Sequence, residues 1–335
     1  MHSRTGAAIS AIVFGIALAA CGGSGDDATG RFASPADLGG GTVGVVSLSD
    51  TAALQTRFVL QEAHGLGSDA VTLVEAPADA LAEQLATGEI DAVVVTNSAA
   101  FEFSNDERFV QLEDVTAEMT ALTGEAVMRS VLVTYPQAAE QKGDALVELN
   151  RLLAASGTYL AANRAAVIDA LEAESGSSEG FSDWWWERHE LPLGDLSAVS
   201  EARVVLMWEA ARVVGDIAET PEPAGLLFDP EAEAALNGTS SGDRTTLSLA
   251  VLDGPNRREV LYALERGLVT SETIDVDVTY LRASELIEAA PARLYDVVET
   301  MPVVVPLGRE RDLDLLVLSA GVVDRGGTLL FVRAE

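Results

Sequence analysis

The chain has 335 residues, of which 53 are acidic and 21 basic, giving a formal net charge of -32. Apolar residues make up 48% and charged residues 22%, enough apolar surface for one or two cores, so wholesale disorder is excluded. The acid excess lacks the basic footprint that phosphate binding relies on, and no nucleic-acid partner is expected.

The amino terminus reads as an address. Arg4 precedes an apolar run from Ala7 to Ala20, too short to span a bilayer with margin, and the run ends in Leu18-Ala19-Ala20-Cys21-Gly22. This basic, apolar, small-residue order is that of a secretory signal peptide. The residues before Cys21 resemble a bacterial lipobox, which implies cleavage before Cys21 and lipid on its sulfur; a plain signal peptide with a chance cysteine is the alternative. Cys21 is the only cysteine, so the mature chain would carry no other thiol into an oxidising space. The expectation is a leader over residues 1–20 and a Gly/Ser/Asp-rich tether over 21–34. The domain would then be held by lipid at the outer face of the cytoplasmic membrane.

From Val43 the elements alternate. A β-branched strand, Val43 to Ser47, and a polar turn, Leu48-Ser49-Asp50, lead into a helix carrying Leu54 and Phe58 and closing at Gly65-Leu66. A strand over Ala70 to Val74, a helix over Ala78 to Ala86 and a strand over Ala92 to Val95 follow. Strand-helix-strand-helix-strand predicts a parallel α/β unit. Arg129 stands before a further apolar strand, Ser130 to Thr134.

The middle of the chain is helical. Gln137 to Asn163 carries Leu146, Leu149, Leu152, Leu153 and Leu160 as a buried stripe, continued by Val167 to Leu171. Gly176 to Gly180 breaks it. Trp184-Trp185-Trp186 reads as a loop packed on these helices, or as an aromatic ligand or partner contact. Val199 to Ile217 is another helix, with Val204, Val205, Met207, Trp208 and Ala211 inward, and Asn237 to Asp243 is a linker.

The opening order then recurs. Strand Leu247 to Leu252, turn Asp253-Gly254-Pro255-Asn256, a helix with Val260, Leu261 and Leu264 closing at Gly267-Leu268, strand Ile274 to Tyr280, helix Ser284 to Ala289 and strand Asp296 to Thr300 match it step for step. Both units close the first helix on Gly-Leu, and both open the third strand on an aspartate, Asp91 and Asp296, which are expected to hold turns. Two pseudo-equivalent lobes follow.

The chemistry inventory is thin. After cleavage only His64 and His189 remain as histidines, and neither has metal-ligand spacing. There is no Gly-x-Ser-x-Gly elbow, Walker loop or Gly-x-Gly-x-x-Gly turn. No residue set argues for an enzyme, which stays open only as a lesser alternative, and no metal or cofactor is expected.

With these elements in hand the chain resembles the extracytoplasmic solute-binding proteins of ABC importers, in the NMT1/THI5-like branch of nitrate, sulfonate, taurine and thiamine-pyrimidine binders. Thr42-Val43-Gly44-Val45 with Gly88-Glu89-Ile90-Asp91-Ala92 resembles that family's second lobe. Leu249 to Asp253 and Tyr295 to Glu299 resemble its first, and Trp208 to Pro223 with Leu227-Phe228-Asp229-Pro230 its C-terminal helices. The resemblance implies a two-lobed periplasmic-binding-protein-like α/β fold (type II), each lobe a mostly parallel sheet flanked by helices, a small-molecule ligand, an ABC permease as partner and a monomer. The lobe order departs from the family: the first-lobe counterpart closes the chain, so a circular permutation is expected, a truncated tandem being the rival. The expected division is 35–134 second lobe, 135–236 helical part of the first lobe, 237–244 linker, and 245–335 α/β part of the first lobe.

Ligands of open parallel sheets bind beyond the carboxyl ends of the strands. That rule selects Ser47, Ser49, Thr51, Thr96 and Asn97 in one lobe and Asp253, Asn256, Glu299 and Thr300 in the other. Hydroxyls at a helix start suit an anion, although Ser49, Asp50 and Asn256 also suit helix capping. Asp253 and Glu299 suit an amine, and the family resemblance implies an organic anion or a pyrimidine. Arg129 could face a ligand acid or make a structural ion pair.

Overall fold

Val43 and Val45 point to one side of their strand and Gly44 to the other, and apolar side chains cover both faces. A strand buried on both faces belongs inside a parallel sheet. The computed structural model describes residues 31–175, 178–229, 244–253 and 257–334. A 3-10 turn, Pro35–Leu38, leads to β1 (Thr42–Val45), α1 (Thr51–Glu62), β2 (Thr72–Glu75), α2 (Ala78–Thr87), β3 (Ala92–Thr96), α3 (Asn97–Ser104), β4 (Phe109–Asp114) and α4 (Val115–Thr123). Asp50 caps α1 by accepting from the Ala53 N–H at 2.8 Å, and Asp114 caps α4 by accepting from Ala117 at 2.9 Å. Gly88 closes α2 at φ +76°, a left-handed conformation that costs glycine little.

Two short strands then cross between halves: β5 (Val127–Met128) and β6 (Val131–Thr134). The helical segment follows as α5 (Pro136–Ala162), α6 (Arg164–Ser175), α7 (Phe181–Arg188), strand β7 (His189–Glu190) and α8 (Ala198–Val213). Helix α5 kinks at Lys142 (φ -130°, ψ 24°), whose ammonium reaches the Asp296 carboxylate at 2.8 Å. The tryptophan run expected in a loop is part of helix α7; its buried Trp185 and half-buried neighbours point to different sides, as adjacent helical residues must.

The final part gives β8 (Thr245–Leu252), α9 (Arg257–Glu265), β9 (Ile274–Leu281), α10 (Ala283–Ala292), β10 (Val297–Thr300), α11 (Val304–Arg309), β11 (Leu316–Ala320), β12 (Val323–Asp324) and β13 (Thr328–Arg333). One sheet runs β2-β1-β3-β13-β4 and the other β9-β8-β10-β6-β11. In each, the first three strands are parallel and the fourth position is filled by an antiparallel strand from the other half of the chain. So β6, residues 131–134, lies in the carboxyl lobe's sheet, and β13, residues 328–333, in the amino lobe's. Both strands sit across the lobe boundaries expected from sequence. A strand returning antiparallel fills the slot beside the last parallel strand and leaves no unpaired edge there.

The third sheet, β5-β12-β7, joins the lobes at the crossing. Alternation divides the cores. In the amino lobe Val43, Val45, Val94 and Leu330 face α1, while Val93, Val95 and Phe331 face α2 and α3. In the carboxyl lobe Leu247, Leu249 and Val297 face α5 and α9. Helix α8 packs against both lobes through Val204, Met207 and Trp208.

Candidate functional site

The carboxyl ends of β1 and β3 in one lobe, and of β8 and β10 in the other, carry the residues selected from sequence. After β1, the Ser47 and Ser49 hydroxyls lie 3.1 Å apart, and the Leu48 N–H donates to the Glu75 carboxylate at 2.8 Å. Burial pushes the Asp50 carboxyl up, opposed by the Ala53 N–H and the Arg129 charge. Thr51 donates its hydroxyl to the Arg129 carbonyl at 3.0 Å. Thr96, at the end of β3, accepts from Arg129 Nη2 at 2.7 Å. Asn97 opens α3 at φ +55°, and its side-chain oxygen accepts from the Trp185 indole N–H at 3.3 Å.

The carboxyl lobe presents less. Asp253 is exposed beyond β8, and its N–H donates to the Leu281 carbonyl at 2.7 Å. Glu299 is buried at 5% exposure and accepts from the Leu252 N–H at 3.1 Å. It borders a cavity of about 10 Å³ with Leu132, Val251, Leu261 and Val322, room for about one water molecule. Thr300 is half-buried at the end of β10. Asn256 and Cys21 lie outside the described residues.

The structure therefore brings Thr51, Thr96, Asn97 and Arg129 together on the amino lobe, beside the crossing sheet. Behind them is a group that the sequence reading did not select. Asp324 of β12 is fully buried, and it accepts from the Gly326 and Gly327 N–H groups at 3.0 and 2.6 Å and from the Thr116 and Thr328 hydroxyls at 3.1 and 2.9 Å. His189 Nε2 and Arg129 Nη1 each stand 4.0 Å from it. Burial pushes this carboxyl up, but the His189 and Arg129 charges and the glycine N–H groups outweigh burial and hold it below the ordinary range. Arg129 thus makes the structural pair, while its second edge holds Thr96. The Asp324-Arg325-Gly326-Gly327 stretch is a legible turn, but nothing in sequence ties it to His189 or Arg129.

The sequence-predicted role of Asp91 and Asp296 takes a definite form. Each accepts a backbone N–H from the neighbouring strand, Thr42 at 2.8 Å and Ser248 at 2.9 Å. Burial pushes the Asp296 carboxyl up, yet Lys142 and Ser248 bring it below its ordinary value.

Among the described residues no group of His, Cys, Asp and Glu is arranged to hold a metal, and no helix is long and apolar enough to cross a membrane. Chemically, these strand ends present hydroxyls, an amide and a guanidinium, groups that hydrogen-bond polar partners.

Residues 26–166, less than half of the chain, match the family model described as NMT1/THI5 like. That match bears out the resemblance over this stretch. No curated protein matches the chain. Among solved structures, it is similar to an ABC transporter periplasmic substrate-binding protein from Coxiella burnetii (10% identity, 87% of this chain and 84% of that one, TM-score 0.34). It is also similar to the aliphatic sulphonate binding protein SsuA from Escherichia coli (10% identity, 87% and 64%, TM-score 0.33) and to a tungstate ABC transporter structure from Geobacter sulfurreducens (8% identity, 88% and 84%, TM-score 0.33). The chain itself folds as two α/β lobes, each built on a mostly parallel sheet flanked by helices.

Proposed function

We propose that the protein captures a small extracellular solute between its lobes and delivers it to an ABC permease, making and breaking no bond. One observation carries this reading. Two sheets of the same strand order are joined by crossing strands, and polar strand-end loops sit beside that joint, where a hinge closes on a ligand. The NMT1/THI5-like match over 26–166 supports it. The ligand is an organic anion, a pyrimidine or an amine. Thr51, Thr96, Asn97 and Arg129 form the amino-lobe contact region, and Ser47, Ser49, Asp253, Asn256, Glu299 and Thr300 complete the candidate set.

The lobes are permuted relative to the family, a reading supported by β13. It is the strand that would precede the Pro35–Leu38 turn and β1, and it lies in the same sheet as β1. The anchor is lipid on Cys21 and the protein works as a monomer outside the cytoplasmic membrane. A ligand-sensing lipoprotein of the same fold is the second reading, favoured if no permease partner is found.

A thermal-shift panel of sulfonates, nitrate, pyrimidines, amines, amino acids and short carboxylates tests the proposal. A ligand at a hundredfold its dissociation constant adds about 2.7 kcal/mol of stability. A selective rise in Tm supports capture; a flat panel on a cooperatively folding protein overturns it.

A further inference from the structure

We propose that α7 is an aromatic clasp between the lobes, holding the amino lobe's α3 in the resting protein and occupying the Asn97 side chain. This concerns lobe geometry and stands independently of which solute binds.

The clasp has an apolar and a polar part. Phe101, one turn into α3, meets Phe181 edge-on with centroids 5.8 Å apart and Trp184 edge-on at 5.9 Å. Both partners belong to α7, in the helical segment that packs with the carboxyl lobe. One turn earlier on α3, Asn97 accepts the Trp185 N–H. Asn97 holds a left-handed backbone that is uncommon outside glycine and tolerated best by Asn and Asp, so the contact is made by a residue whose orientation the chain constrains.

The clasp is anchored at the crossing sheet. The Trp185 ring stacks on the His189 imidazole at 4.5 Å and 14°, and His189 Nδ1 donates to the Trp185 carbonyl at 2.8 Å. His189 lies in β7, which pairs with β12, the strand carrying Asp324. Trp185 is 1% exposed and part of the core, so it stays with the helical segment while α3 is the element that leaves. A second tie grips α1: Arg57 makes a bidentate pair with Asp216 just beyond α8, at 2.6 and 2.5 Å.

Separating the lobes on the α3 side exposes Phe101 and strips the Asn97 oxygen of its donor. A solute that uses the Asn97 oxygen must replace the indole N–H with its own donor. The clasp therefore lowers the population of the open form, and apparent affinity falls by the same fraction.

The test uses the full chain without ligand. Trp184→Ala removes an apolar contact from α7, and Trp185→Phe removes the N–H while keeping a ring. Hydrogen exchange of the α3 amides is read against α2, in the same lobe but away from α7, together with the radius of gyration from solution scattering. The expected result is at least tenfold faster exchange in α3 for Trp184→Ala, with α2 unchanged and a larger radius of gyration. Trp185→Phe gives a smaller change in the same direction. Should Trp184→Ala not fold, Trp185→Phe decides. Wild-type α3 exchange and an unchanged radius in a folded variant overturn the clasp.

Discussion

Arg129 donates through Nη2 to the Thr96 hydroxyl at 2.7 Å, while its Nη1 stands 4.0 Å from the buried Asp324 carboxylate. One guanidinium thus joins the end of β3 to the crossing strand β12, and the strand-end residue Thr96 is oriented by the joint between lobes. Removing the cation leaves Asp324 with less compensation in a fully buried position. Arg129→Ala is expected to cost roughly 2–4 kcal/mol in urea unfolding, and Arg129→Lys less. The loss should deepen with rising pH, since Asp324 with its carboxyl held low contributes stability above the unfolded range that disappears as pH falls. An unchanged unfolding midpoint would remove Asp324 and Arg129 as a pair.

Asp114 behaves in the opposite sense. Burial, with the Asp324 charge adding to it, pushes its carboxyl from 3.8 up to about 6 despite the cap bond from Ala117. The folded state then binds the proton more tightly than the unfolded state. This group's contribution is therefore favourable at low pH and is lost as pH rises toward 6. Asparagine can keep the cap without the charge. Relative to wild type, Asp114→Asn should gain about 1 kcal/mol between pH 4 and pH 7, a figure discounted for partial exposure. Parallel stability curves for the two proteins would contradict this.

Gly194 sits where no side chain fits. Its φ is +72°, and a Cβ there would stand 2.2 Å from the Asn150 carbonyl oxygen and 2.7 Å from the Ala154 nitrogen, both backbone atoms of α5. Gly194→Ala should destabilise by about 3 kcal/mol, read as a lower Tm by calorimetry. Gly67→Ala, with nothing within 4 Å of the added carbon, is the matched control and should change little.

The last strand lies inside the first sheet, between β3 and the edge strand β4. Leu329, Leu330 and Phe331 pair with β3 on one side and β4 on the other, and all three are buried. Deleting residues 326–335 should leave the amino lobe without a closed sheet. Limited proteolysis is expected to cut first within residues 42–123. Equal resistance of both lobes would show that β3 and β4 can close on each other.

The local half of this fold was legible. Asp91 and Asp296 stood before matched strands, and both hold a neighbouring strand's N–H. Ser49 and Asp50 marked a helix start, and Asp50 is the cap. The candidate site was legible only in outline. The rule of strand ends found Thr96 and Asn97, but Arg129 and Trp185 are their partners because the crossing strands and α7 happen to meet there. The same rule found Glu299, and only the structure shows that it also accepts from the Leu252 N–H of β8.

The sequence by itself determined the acidic charge, the leader pattern, the two α/β repeats and their strand-end loops, because these follow from composition and from periodicities of a few residues. Only the tertiary structure decided that β6 and β13 change sheets, that Asp324 gathers Arg129 and His189, and that α7 grips α3. Each of those depends on which distant segments share a buried space, where an unpaired strand edge or an uncompensated charge is too costly to leave, and no local pattern records that choice.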